Sequence, residues 1–237
     1  MGARVVDKSA IHRSTLTLSF SGIDGAGKST QIESLRASLK ERGLQVRVIA
    51  FWDEIARLTR FREAAGHALF QGDKGVGTPE RPIYRRDKNV RWWPMAAVRL
   101  VLYFIDAVSA RTVVSHALGS GVDVVILDRW IHDELANLAL DRRLNRAYAR
   151  IIARLVLKPD ISFVLDADPL KARARKPEYP IEFLVANRAS YLRLSTMIDG
   201  VTVIAAGPAS EVEKLIAEKA LEIERLKKGE ASLQVSL

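Results

Sequence analysis

The sequence predicts an α/β fold, a five-stranded parallel sheet flanked by helices, and three observations carry that reading. Five short apolar runs recur along the chain, each is followed by a stretch of helical period, and the first strand-to-helix junction is rich in glycine. Strand alternating with helix is the pattern of a parallel sheet whose crossovers cover both faces. At 237 residues the chain exceeds the average domain but suits one doubly wound α/β domain, so a single domain is expected.

Taken in order, residues 14–22 form the first strand, with Leu16, Leu18 and Phe20 alternating with small polar residues. A helix over 28–42 follows, then a second strand over 45–51 with VRVIAF at its end and a helix over 53–70. Residues 71–93, QGDKGVGTPERPIYRRDKNVRWW, mix glycine, proline and charge and read as a long loop. A loop of that length inside a compact domain is either functional or flexible. A helix over 95–118 leads to the third strand, VDVVIL at 122–127, and a helix over 132–157 to the fourth, ISFVL at 161–165. The last pair is a helix over 181–198 and the strand VTVIA at 201–205, closed by a helix over 210–228. The later strands are nearly continuous apolar runs, as burial on both faces requires.

Composition narrows the function classes. With 48% hydrophobic and 27% charged residues the chain can bury a core, which excludes disorder throughout. The 37 basic against 28 acidic residues leave a net charge of +9, which favours anionic partners. The absence of cysteine excludes disulfides, cysteine-held zinc and a thiol nucleophile. Residues 1–17 lack the apolar run of a signal peptide, and Val6 stands where a myristoylation motif has Ser or Thr. The most apolar segment, 92–110, is interrupted by Pro94, Arg99 and Asp106. A cytoplasmic protein with no membrane partner is therefore expected.

From Gly22 to Ser29 the chain reads GIDGAGKS, which fits GxxxxGK[ST] directly after a strand and at the opening of a helix, the context that the motif needs. Such glycines let backbone N–H groups curl around phosphate oxygens, and the following helix adds the positive end of its dipole. Lys28 is positioned by the motif to reach the β and γ phosphates of ATP, and the Ser29 hydroxyl to coordinate Mg²⁺. Gly22, Asp24, Gly25, Ala26, Gly27, Lys28, Ser29 and Thr30 are the candidate donor-binding residues.

FSGIDGAGKSTQIESL resembles the opening of thymidylate kinases, and two later segments agree in order and spacing. LDRW at 127–130 follows the third strand, where that family has Asp-Arg-Tyr. FVLDADPLKARARK at 163–176 follows the fourth strand and is similar to the family's Asp-x-Asp-Pro turn and arginine-bearing lid, after which Arg188 and Tyr191 fit its next helix. The resemblance implies a strand order of 2-3-1-4-5 and ATP- and Mg²⁺-dependent transfer of the γ-phosphoryl group to a small phosphorylated acceptor, a nucleoside monophosphate such as dTMP. It implies that Asp128 orders the metal or its waters, that Arg129 contacts the phosphates around the transfer point and the acceptor, and that Asp24 touches the acceptor's sugar. An Asp128–Arg129 ion pair of purely structural use is the competing reading. The family also implies a homodimer.

Three departures bear on mechanism. The loop contains no basic residue between Gly22 and Lys28, so catalytic charge falls to a lid over residues 168–180, with Arg173 and Arg175 as candidates; surface charge is the alternative. After the second strand the family's Arg-Glu-Pro-Gly is replaced by Phe51-Trp52-Asp53-Glu54. On the acceptor-facing helix Tyr103 supplies the stacking ring, but Ala107 stands where the family has arginine, and Arg99 and Arg111 on that face are the substitutes. A phosphate acceptor needs arginines, whereas a hydroxyl acceptor needs a carboxylate base, which Asp53 and Glu54 offer. Glu54 is equally suited to opening the next helix. The acceptor thus stays open between a phosphate and the hydroxyl of a nucleoside or other metabolite.

Two remaining features point away from other classes. Arg142, Arg146, Arg150, Arg154 and Lys158 form a basic stripe, with Leu144, Ile151, Ile152 and Leu155 expected on the buried side. Without interleaved aromatics or a nucleic-acid motif, a solvated face is favoured over a nucleic-acid partner or a non-catalytic nucleotide-binding protein. The four histidines, His12, His67, His116 and His132, lack metal-ligand spacing.

Overall fold

The computed structural model describes residues 15–56 and 93–234. Five strands, β1 (Leu16–Ser21), β2 (Val46–Ala50), β3 (Val124–Asp128), β4 (Ile161–Asp166) and β5 (Val201–Ala205), form one sheet of order β2-β3-β1-β4-β5. Every pairing is parallel. The predicted strands and their order are borne out. The register aligns Phe20 and Ala50 with Asp128, and Ser21 with Val164, so the carboxyl ends of β1, β2 and β3 finish together.

The helices are α1 (Lys28–Glu41), α2 (Trp93–Leu118), α3 (Ile131–Leu135), α4 (Arg143–Leu155), α5 (Pro169–Arg175), α6 (Ile181–Ser195) and α7 (Ala209–Gln234). On one face of the sheet Leu16, Leu18 and Phe20 pack with Ile32, Leu35 and Leu39 of α1 and Ile216 of α7. On the other, Val125 and Leu127 pack with Ala107, Ala110 and Val114 of α2, Ile152 of α4 and Leu184 of α6. β1 alternates apolar and polar residues yet is buried on both faces. Two of its three polar side chains are fixed by specific bonds, while the Ser19 hydroxyl has no partner among the described residues: the Thr17 N–H and hydroxyl both donate to Asp160 Oδ2 at 2.7 Å, and the Ser21 hydroxyl donates to Asp133 at 2.6 Å. Lys227 of α7 joins the first of these carboxylates at 2.7 Å, fastening the last helix to the foot of the sheet.

Three expectations are corrected. The helix predicted over 132–157 is two helices, α3 and α4, separated by residues 136–142. Leu144, Ile151 and Leu155 are exposed, since α4 packs through the small Ala149 and Ile152. The helix predicted from Asp53 begins instead as a single π-helical turn, Phe51–Ile55. Residues 57–70 of that helix and 71–92 of the long loop lie outside the described residues.

Among the described residues one helix, within α2, is long and apolar enough to cross a membrane. Its Tyr103, Asp106, Ala107 and Ala110 are buried against the rest of the fold, whereas Val101, Phe104 and Val108 are exposed.

Candidate functional site

The glycine loop leaves β1 through conformations that only glycine adopts readily. Gly22 and Gly25 have φ of 140° and 79°. A Cβ on Gly25 would stand 2.2 Å from the Ala172 carbonyl oxygen, so the loop lies directly against α5. α5 is where the lid was predicted, and it is a capped helix. Pro169 occupies its first turn, and the Asp168 carboxylate accepts from the Lys171 N–H at 2.9 Å.

Lys28 is buried, and its ammonium donates to the Gly22 and Ile23 carbonyls at 2.8 and 3.0 Å. Burial, with some help from Arg129, pulls its pKa down to about 8 against the opposing charges of Asp133, Asp24 and Asp128. Ser29 and Thr30 are exposed on the first turn of α1.

Asp128 ends β3 partly exposed, with Arg129 directly after it. Burial pushes the Asp128 carboxyl upward; Arg129 and Lys28 oppose this, and the charges of Asp133 and Asp53 add to it. Arg129 is the sole described residue other than glycine with positive φ, at 67°. Its guanidinium spans two carboxylates, Asp24 of the loop at 2.5 Å and Asp133 at 3.1 Å. Burial pulls Asp24 upward, but Arg129, Lys28 and Lys176 outweigh it and hold the carboxyl at about 2. Lys176, just after α5, lies 3.8 Å from Asp24 and 3.3 Å from Glu178. The predicted Asp24, Lys28, Asp128 and Arg129 are therefore brought together.

Asp133 was absent from the sequence reading. It is buried, and Oδ2 accepts from the Ser21 hydroxyl at 2.6 Å and the Trp130 N–H at 3.2 Å, while Oδ1 accepts from Arg129 at 3.1 Å and the Tyr191 hydroxyl at 2.8 Å. Two of these partners are 112 and 58 residues distant in sequence, so local pattern carries no trace of them.

The other candidates are more dispersed. Arg173 is partly exposed and Arg175 exposed on the last turn of α5, with no ion pair among the described residues. Arg188 of α6 grips Asp166 through two bonds of 2.5 and 2.8 Å. On the acceptor side, Asp53 is exposed near Asp128. Glu54 turns back, accepting from the Ala50 N–H at 3.2 Å and pairing with Arg47 at 3.4 Å, so it has the local role open to it from the sequence. Tyr103 is buried in the core between the sheet and α2. Arg111 reaches the Leu155 carbonyl at the end of α4, away from the glycine loop. Arg99 is on α2, and its side chain lies outside the described residues.

No cluster of three or more acidic, histidine or cysteine ligands occurs among the described residues. A Mg²⁺ ion at the loop would accordingly rest on Ser29 and Asp128, with phosphate and water completing the shell, which matches how this cation is usually held.

A glycine loop closed over its own lysine, facing an Asp-Arg pair on the adjacent strand of a 2-3-1-4-5 parallel sheet, defines an α/β P-loop protein of the nucleotide kinase type. No protein-family model matches the chain. Individual proteins do: it is 31% identical over 166 residues to a thymidylate kinase of Chlorobaculum parvum, covering 68% of this chain and 65% of that protein. It is 31% identical over 164 residues to one of Prochlorococcus marinus (67% and 70% covered), and 31% over 165 residues to one of Bifidobacterium longum (68% and 71%). The chain belongs to the thymidylate kinase family. It spans about two thirds of the length of these relatives.

Proposed function

We propose that the chain is a single, cytoplasmic kinase domain that moves the γ-phosphoryl group of ATP to dTMP with Mg²⁺. The observation that carries this reading is the convergence of Lys28, Asp24, Asp128 and Arg129 around the glycine loop. Family membership names the acceptor. In this reading Lys28 exchanges its two carbonyl partners for the β and γ phosphates, and Ser29 and Asp128 hold the metal. When bound, Mg²⁺ offsets the charge on the transferring oxygens. Arg129 gives up Asp24 for the phosphates at the transfer point, freeing Asp24 for the acceptor's sugar. Arg173 and Arg175 lie on the helix that touches the loop, without an ion pair among the described residues, and are available to offset charge in the transition state.

An acceptor already ionised at neutral pH needs no base. The engagement of Glu54 with Arg47 and Ala50 removes half of the acidic pair that suggested hydroxyl chemistry. The exposed apolar stripe Val98, Val101, Phe104 and Val108 of α2 offers a surface for a second copy of the chain, which supports a homodimer. The test of the activity is an acceptor panel with ATP and Mg²⁺ covering nucleoside monophosphates, nucleosides and sugars, read by ADP release and product mass. ADP release dependent on dTMP with a diphosphate product is expected. Release that depends only on a nucleoside or sugar would replace the monophosphate reading with the hydroxyl one.

A further inference from the structure

Asp133 has no role in the proposed reaction, although it is the most heavily bonded carboxylate near the loop. Burying a carboxylate is unfavourable unless its oxygens are satisfied. Here both are, by donors from the end of β1, the start of α3, Arg129 and α6. A carboxylate held by three separate elements is a fixed point, and one of its four bonds goes to the guanidinium that also touches the glycine loop through Asp24. Arg129 leaves the backbone at φ 67°, a conformation unusual for a residue with a side chain and maintained only where the surroundings hold it.

We propose that Asp133 is a positioning residue for Arg129: it anchors one end of the guanidinium so that the other end is presented across the glycine loop. The planar fork of arginine suits this division, because Nη1 stays on Asp133 while Nη2, now on Asp24, is the end that exchanges partner. Ser21 and Tyr191 act one step further back, fixing the two oxygens of Asp133. The proposal rests on the assignment of Arg129 to the phosphates at the transfer point.

The test is a double-mutant cycle on kcat for dTMP-dependent ADP release, using Asp133→Asn, Arg129→Ala and the pair, with an independent view of Arg129 by NMR. An amide at 133 turns donors toward donors and releases the guanidinium. Asp133→Asn is expected to lower kcat by about 10²-fold, the usual consequence of a misplacement near 1 Å, with a smaller change in KM for ATP. In the Arg129→Ala background the same substitution is expected to cost nothing further. The Nε–H signal of Arg129, assigned by its loss in Arg129→Lys, should be distinct in the parent and merge with those of exposed arginines in Asp133→Asn. Additive losses of kcat, or an Arg129 signal unchanged by the substitution, would overturn the proposal. If Asp133→Asn does not fold, Asp133→Ser, which keeps an acceptor for the Trp130 N–H, carries the same comparison. A parent protein inactive on dTMP would reject the kinase reading, and the NMR comparison would still decide whether Asp133 holds Arg129.

Discussion

Replacing Gly25 with alanine separates two demands that the glycine loop makes on this position. The backbone demand is φ of 79°, which costs a residue with a Cβ about 1–2 kcal/mol. The packing demand is the Ala172 carbonyl oxygen, 2.2 Å from where that Cβ would stand, about 1.2 Å inside an ordinary contact. Backbone cannot rotate away as a side-chain tip can, so α5 must retreat from the loop. Gly27 shares the first demand, with φ of 89°, and has nothing within 4 Å, which makes it the control. For a chain of this size 1 kcal/mol shifts Tm by roughly 2–4 °C, so Gly27→Ala should lower Tm by about 2–8 °C and Gly25→Ala by more. Gly25→Ala should also loosen hydrogen exchange across residues 169–175 and lower kcat about 10²-fold as the arginines of α5 move off. Thermal unfolding by circular dichroism, exchange mass spectrometry and ADP release measure the three. Equal Tm for the two variants, with unchanged exchange in α5, would show that no clash with α5 constrains this position.

Burial holds His132 at about pKa 4 against a reference of 6.5. The unfolded chain then binds the extra proton first, and about 3 kcal/mol of stability should be lost as pH falls from 6.5 to 4; urea unfolding of His132→Gln should show that slope flattened. For Lys28, depressed from 10.5 to about 8, the unfolded chain holds more protons across that window, so stability should rise with pH between 8 and 10.5. Lys28→Met should remove this rise and abolish transfer, as paired unfolding and ADP-release titrations would detect. Arg173→Ala or Arg175→Ala should lower kcat by about 10³-fold with a smaller change in ATP affinity, a pattern that full kcat in both variants would exclude. Light scattering should report a dimer that Phe104→Glu, in the exposed stripe of α2, converts to a monomer.

The sheet was legible because its signals are local. Uninterrupted apolar runs such as VVIL and FVL suit only strands covered on both sides, and the glycine loop announces the first crossover. The break between α3 and α4 was not legible, because residues 136–142 contain neither glycine nor proline and their leucines continue the helical period. The buried side of α4 was misjudged for a related reason. Of its large apolar residues expected in the core only Ile152 is buried, and the other buried position is Ala149, a small residue that gives a periodic pattern little weight. At the site, Lys28, Asp128 and Arg129 follow from motif and resemblance. Asp133 follows from neither, since its environment is assembled by Ser21 and Tyr191 from opposite parts of the chain.

In the proposed reaction, where Lys28 meets the phosphates, its two bonds to the Gly22 and Ile23 carbonyls make nucleotide entry a substitution reaction. An incoming ligand must win the buried ammonium from the two peptide oxygens that already hold it. A triphosphate carries enough charge to do so, and adenosine carries none. The loop thereby sets a threshold on how anionic a ligand is before any of its shape is inspected, and base or sugar contacts alone do not lift the lysine from its resting partners.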